Sequence, residues 1–133
     1  MIDVEAQIYS PLATLLRSTH SGISVSGEYV KAPSEFPFVS IVEADNYMSA
    51  ANLSTADTEQ FATLMYEVNV YSNKNTGKKS ECKAIMATVD AFMYGLNFTR
   101  LSLSPVPNMD NASIYRMTAR YRAETDGTNL YRR

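Results

Sequence analysis

The clearest hydrophobic pattern in the chain runs from Phe61 to Leu96, where two periods follow one another. Leu64, Tyr66, Val68 and Val70 alternate with Thr63, Met65, Glu67, Asn69 and Tyr71. Period 2, with β-branched and aromatic residues, predicts a half-buried strand. The cluster Ser72-Asn73-Lys74-Asn75-Thr76-Gly77 breaks the alternation and reads as a turn. Cys82, Ile85, Met86, Val89, Phe92, Met93 and Leu96 then recur at helical spacing, with Lys79, Lys83 and Asp90 off the stripe. This helix should anchor the core, with Val89 and Phe92 inside and Gly95 as its C-terminal stop.

The flanks add further elements. Val4, Ile8, Leu12, Leu15 and Leu16 mark a helix over residues 2–18. Pro11 either restarts that helix after Ser10 or kinks it. Ile23 and Val25, extended at most by Tyr29 and Val30, suggest a short strand interrupted at Gly27, and Pro33 and Pro37 bracket a bend. Phe38 to Val42 lacks alternation, as expected of a strand covered on both faces. Residues 44–60 carry no period and read as a long loop. Tyr47, Met48 and Leu53 make it either an arm that contacts a partner or a mobile loop. Thr99, Leu101 and Leu103 alternate with Arg100, Ser102 and Ser104, and Pro105 and Pro107 close that strand. In the last strand, 112–124, Tyr115, Met117, Ala119 and Tyr121 oppose Arg116, Thr118, Arg120 and Arg122. The polar tail after it reads as irregular. The order α-β-β-β-α-β-β predicts an α+β, two-layer sandwich. It has two helices on one face of a mainly antiparallel or mixed sheet of about five strands. If the strands flanking the central helix run parallel in that sheet, their crossover is right-handed.

Length and charge narrow this picture. The 133 residues suit one domain, 1–133, and 45% hydrophobic content supports a core. A net charge of −2 argues against a non-specific nucleic-acid binder. No apolar run reaches the roughly 20 residues of a membrane span, and no signal peptide is expected. The single cysteine, Cys82, lies on the apolar stripe and reads as an inert buried thiol.

Candidate chemistry is sparse. Thr76-Gly77-Lys78-Lys79-Ser80 sits where a P-loop would, but Ser72 stands where the first glycine is needed and Lys79 where Ser or Thr is needed. Gly22-Ile23-Ser24-Val25-Ser26-Gly27 lacks the second glycine of a hydrolase elbow, and His20 is the only histidine. Acidic pairs such as Glu43/Asp45 and Asp57/Glu59 lack further metal ligands. No catalytic, cofactor-binding or metal-binding residues are therefore assigned. The polar feature that stands out is an arginine face: Arg116, Arg120 and Arg122 on one strand, with Arg100 on the preceding one. Its charges either pair with Glu67 and other acids of the subunit or meet an acidic partner or a phosphate backbone. The latter includes a passing contact with genomic DNA. Met65 and Tyr71 on the neighbouring polar face favour a protein contact.

Three stretches carry a resemblance: the opening MIDVEAQIYSPLATLL, the segment YEVNVYSNKNTGKKSECKAIMATVDAFMYGLNF, and the closing ASIYRMTARYRA. Together they resemble the tail-terminator, or tail-completion, proteins of long-tailed bacteriophages. The resemblance implies a compact subunit assembled in the host cytoplasm into a virion ring, typically a hexamer. That ring sits on the head-proximal end of the tail tube, stops tube growth and presents a surface to a head–tail connector or neck protein. It implies partners, namely further copies, the tube protein and the connector, and no catalytic residues. Tyr47, Met48, Leu53, Met65, Tyr71, Arg100, Arg116, Arg120, Arg122, Leu130 and Tyr131 are the interface candidates. Another phage neck component, such as a head-closure or adaptor protein, is the alternative. A small soluble enzyme is the remote one.

Overall fold

A computed structural model describes residues 1–30, 33–48, 61–106 and 113–131. Eight elements follow in the order α1 (Glu5–Thr19), β1 (Ser24–Ser26), β2 (Phe38–Met48), β3 (Ala62–Ser72), α2 (Lys78–Gly95), β4 (Thr99–Val106), β5 (Tyr115–Thr125) and β6 (Leu130–Tyr131). The strands form one mixed sheet in the order β1-β2-β3-β5-β4, with β6 beside the end of β5. β1 pairs parallel to β2, and every other pairing is antiparallel. This is the expected α+β arrangement, with a sixth short strand. β3 and β4 both run antiparallel to β5 and so parallel to each other, which meets the condition of the crossover argument.

Both helices contribute to one core. Ile8, Leu12 and Leu16 of α1 and Ile85, Val89 and Met93 of α2 cluster with Val39, Leu64, Tyr66, Val68, Val70, Ala119 and Tyr121 of the sheet. On α1, Ala13 is buried while Leu15, at the margin of the stripe, is exposed. Pro11 neither restarts nor ends the helix. It lies exposed, and so does Gln7, the residue whose carbonyl loses its helical donor to the proline. Asp3 Oδ1 accepts from the Glu5 amide at 3.1 Å and so ties down one of the orphan donors at the helix start.

The central segment follows its pattern closely. Gly77 holds φ 84°, a left-handed conformation in which a side chain would be strained, and turns the chain into α2. Cys82, Ile85, Met86, Val89 and Met93 are buried, whereas Phe92 and Leu96 are only partly so. At the far end Gly95 is the last helical residue rather than the stop. The left-handed position belongs to Asn97, at φ 68°. The Phe98 amide reaches back to the Met93 carbonyl at 3.0 Å, and the Asn97 side chain donates to the Leu130 carbonyl at 2.9 Å. Asparagine tolerates this conformation, and here its amide also pins the tail.

Three other expectations are corrected. Residues 44–48 belong to β2, not to a loop. The ladder with β3 shifts register between Glu43 and Asp45, and this bulge erases the alternation. Residues 49–60, Leu53 among them, lie outside the described residues. β4 continues through Pro105 to Val106 because it is an edge strand, where a missing N–H is tolerated. The tail is not irregular throughout. Leu130 and Tyr131 pair with Thr125 and Glu124, and the Asp126 carboxylate accepts from the Asn129 and Thr128 amides inside the turn.

The packing sets the stability ranking. Ile85→Ala, at a site only 1% exposed, should cost about 2–5 kcal/mol. Phe92→Ala should cost less than emptying a closed aromatic site, because part of its ring already meets water. Urea denaturation of both variants reads the difference. A larger loss at Phe92 than at Ile85 would contradict this packing.

Candidate functional site

The sheet has a face turned away from the helices, and β5 supplies its cations. Arg116, Thr118, Arg120 and Arg122 lie there opposite Tyr71, Asn69, Glu67 and Met65 of β3. The alternation of β5 places them as expected. Arg116 is committed within the subunit: its Nε and Nη2 donate to Asn69 Oδ1 at 3.0 and 2.8 Å, and its guanidinium lies 5.4 Å from the centre of the Tyr71 ring. Thr118 Oγ1 donates to the same oxygen at 2.6 Å. Phe38 packs against Tyr71 from the other side, with ring centres 5.9 Å apart. Tyr71 is thereby only 1% exposed. Burial pushes its hydroxyl pKa up, against the opposing pull of Arg116. Arg120 stands 4.0 Å from Glu67 with its side chain more than half exposed, a geometry that contributes little stability. Arg122 and Met65 are half-buried beside them.

Under this charged cover runs a buried polar row, Ser40–Asn69–Thr118. Ser40 Oγ and Asn69 Nδ2 lack a hydrogen-bond partner among the described residues. The Asn69 carbonyl oxygen, by contrast, takes three donors. Nothing in the alternation of β3 announces this row, since Asn69 reads there as a solvated polar residue.

Arg100 is not on the arginine face. β4 shifts register between Arg100 and Ser102, so Arg100 pairs with Tyr121 and points to the helix side. There Arg100 Nη1 lies 3.2 Å from Asp90 Oδ1, which also accepts from the Tyr121 hydroxyl at 3.0 Å. Burial, then the Asp90 charge, raises the Tyr121 pKa. This trio separates two clefts between α2 and β4. One, of about 220 Å³, has Met86, Ala87, Leu103 and Met117 around it, with Lys83 at its rim. The other, of about 170 Å³, lies by Tyr94, Phe98 and Tyr121. Sequence reasoning missed this region because a bulge moved Arg100 across the sheet.

The other candidates are dispersed. Tyr47 and Met48, 45% and 52% exposed, end β2. Leu130 packs against the core, and the Tyr131 hydroxyl donates to Asp126 at 3.0 Å. An open cleft of about 410 Å³ lies beside the start of α1, lined by Asp3, Glu5, Tyr9 and Ser10. Glu43, nearby, accepts from the Tyr66 hydroxyl at 3.3 Å. Its pKa is raised first by burial and then by repulsion from Glu5 and Asp3. Among the described residues no three His, Cys, Asp or Glu side chains are arranged to hold a metal ion, and no helix is long and apolar enough to cross a membrane. His20 Nε2 is engaged with Thr88 Oγ1 at 2.9 Å. The Cys82 thiol points at the carbonyls of Tyr115 and Val70, 3.5 and 3.7 Å away, and burial pushes its pKa up to about 12. That keeps it protonated and unreactive at neutral pH.

Two outcomes follow from this geometry. Asn69→Ala strips Arg116 and Thr118 of their shared acceptor and should cost about 1–3 kcal/mol in denaturant unfolding. Unchanged stability would show that water replaces the amide. Because the Glu43 pKa is higher in the folded than in the unfolded state, its ionisation opposes folding. That penalty is absent below the unfolded pKa and grows as pH rises through the folded value. Glu43→Gln should therefore raise Tm at pH 7 relative to the parent, with the gain vanishing near pH 4. A gain confined to acid pH would reverse the sign of this argument. Comparison with protein-family models and with curated protein sequences found no match to this chain.

Proposed function

We propose that this protein is a structural subunit that assembles into a ring at the head-proximal end of a long-tailed bacteriophage tail, ending tube growth and offering the joining surface for the head. The observation that carries this reading is where the three resembling stretches fall. They correspond to α1, to β3 with its turn and α2, and to β5. Those elements supply most of the core, so the resemblance lies in the residues that dictate the fold rather than in variable loops. The exposed groups fit an assembling subunit. Tyr47 and Met48 stand out at one end of β2, and Leu101, Leu103 and Tyr94 line the opposite margin. Large exposed apolar residues grouped at margins suit protein contacts. On this reading the neighbours are further copies, the tail tube protein and a neck protein.

Electron microscopy of particles made without the protein tests the proposal. Overlong tails without heads are expected. Tails of normal length beside leaking heads would assign a head-closure role instead, and normal particles would remove the protein from the neck altogether.

A further inference from the structure

The two open margins of the sheet differ in chemistry. β1 pairs only with Phe38–Ser40 of β2, so among the described residues β2 is itself a sheet edge from Ile41 to Met48. Asp45 and Tyr47 project from this edge on the face away from the helices, in register with Met65 and Thr63. Successive residues on one face are about 7 Å apart, so the acid and the ring form one exposed patch. The opposite margin is β4. Its helix side holds the 220 Å³ cleft, with Met86 and Met117 as floor, Leu103 and Ala87 as walls, and Lys83 at the rim. Lys83 has no carboxylate within ion-pair distance among the described residues, and Lys79 stands one helical turn away on the same side. Asp45 likewise has no cation partner among them; it accepts only from the Asn46 amide.

We propose that Asp45 and Tyr47 of one subunit dock into the α2–β4 cleft of a second copy, the Tyr47 ring against Leu103, Met86 and Ala87 and the Asp45 carboxylate against Lys83. An aromatic ring with a polar tip suits an apolar cleft that ends at the Arg100–Asp90 pair. The unlike charges choose a copy of this chain over an uncharged apolar partner. The patch and the cleft lie on opposite faces and three strand spacings apart, about 14 Å. A closed two-fold dimer would need one subunit to turn both surfaces toward the same neighbour, which opposite faces at opposite margins prevent, so the contact is heterologous: each subunit offers a patch to one neighbour and a cleft to the next. Such a contact builds rings or filaments rather than closed dimers. The inference deepens the ring reading by naming its two surfaces.

The test uses the full chain and four exposed positions. Asp45→Lys alone sets lysine against lysine, and Lys83→Glu alone sets acid against acid. Each should weaken self-association by at least about tenfold in sedimentation equilibrium, with circular dichroism unchanged. Mixing the two variants should restore assembly, because every contact in an alternating array is then a Lys–Glu or an Asp–Lys pair. The restored species should exceed a dimer. Chains carrying Tyr47→Cys and chains carrying Ala87→Cys should also join by a disulfide on mild oxidation, with the buried Cys82 left free. Four results would overturn the inference: wild-type chains still monomeric at about 1 mM, single variants that assemble normally, a mixture that stays dissociated, or a restored species that stops at a dimer. Wild-type assembly untouched by these changes would leave the ring reading standing with a different interface. Assembly as described, with normal tail lengths in virions lacking the protein, would instead reject the terminator role.

Discussion

The structure depends on one contact, the apolar side of α2 lying across β3 and β5. Ile85, Val89 and Met93 face Val68, Val70, Ala119 and Tyr121, all of them fully or almost fully buried. α1 extends the same layer over the other half of the sheet with Ile8, Leu12 and Leu16. Because β3 lies between β2 and β5 and under the helices, its backbone is paired on both sides and its inner face is closed. Any residue placed on the remaining face of β3 is then flanked by two strands of side chains. That constraint decides what Asn69 and Tyr71 can do.

Their burial is lateral. No third layer covers them among the described residues; Phe38 and Arg116 close over Tyr71, and Arg116 and Thr118 over Asn69. Long neighbours on adjacent strands can cover a central side chain in this way, with an aromatic face serving as a platform for the guanidinium. The arginine face is therefore two things at once. Arg116 is internal cover, fixed through a buried amide. Arg120 is loosely paired at the surface, where salt screens a 4.0 Å ion pair. Only groups of the second kind are free to meet a partner without dismantling the subunit.

Both open margins carry a bulge, at Glu43/Asp45 in β2 and at Arg100/Ser102 in β4. Bulges and edge prolines such as Pro105 discourage uncontrolled strand addition. They also redirect side chains. The first sets which residues of β2 share a face with Tyr47, and the second sends Arg100 to Asp90 on the helix side. The features that protect the edges thus also shape the patch and the cleft that make the margins distinct.

The sequence by itself determined the class of fold, the two helices, the central strand–turn–helix and the faces of β5. These rest on local periodicity, and a period of 2 or 3.6 is visible in one chain read alone. It also placed Cys82 in the core, because its spacing matched the stripe. Tertiary structure decided the rest. One extra residue at each bulge puts the stretches before and after it out of phase, which hid the second half of β2 and set Arg100 on the opposite face from Ser102 and Ser104. The burial of Tyr71 and Asn69 depends on side chains brought in from β2 and β5, far away in sequence. The pairing of Leu130 with Thr125 depends on a polar turn whose hydrogen bonds only the folded tail supplies. Phase and cross-strand company are properties of the assembled sheet, and no single strand carries them in its own pattern.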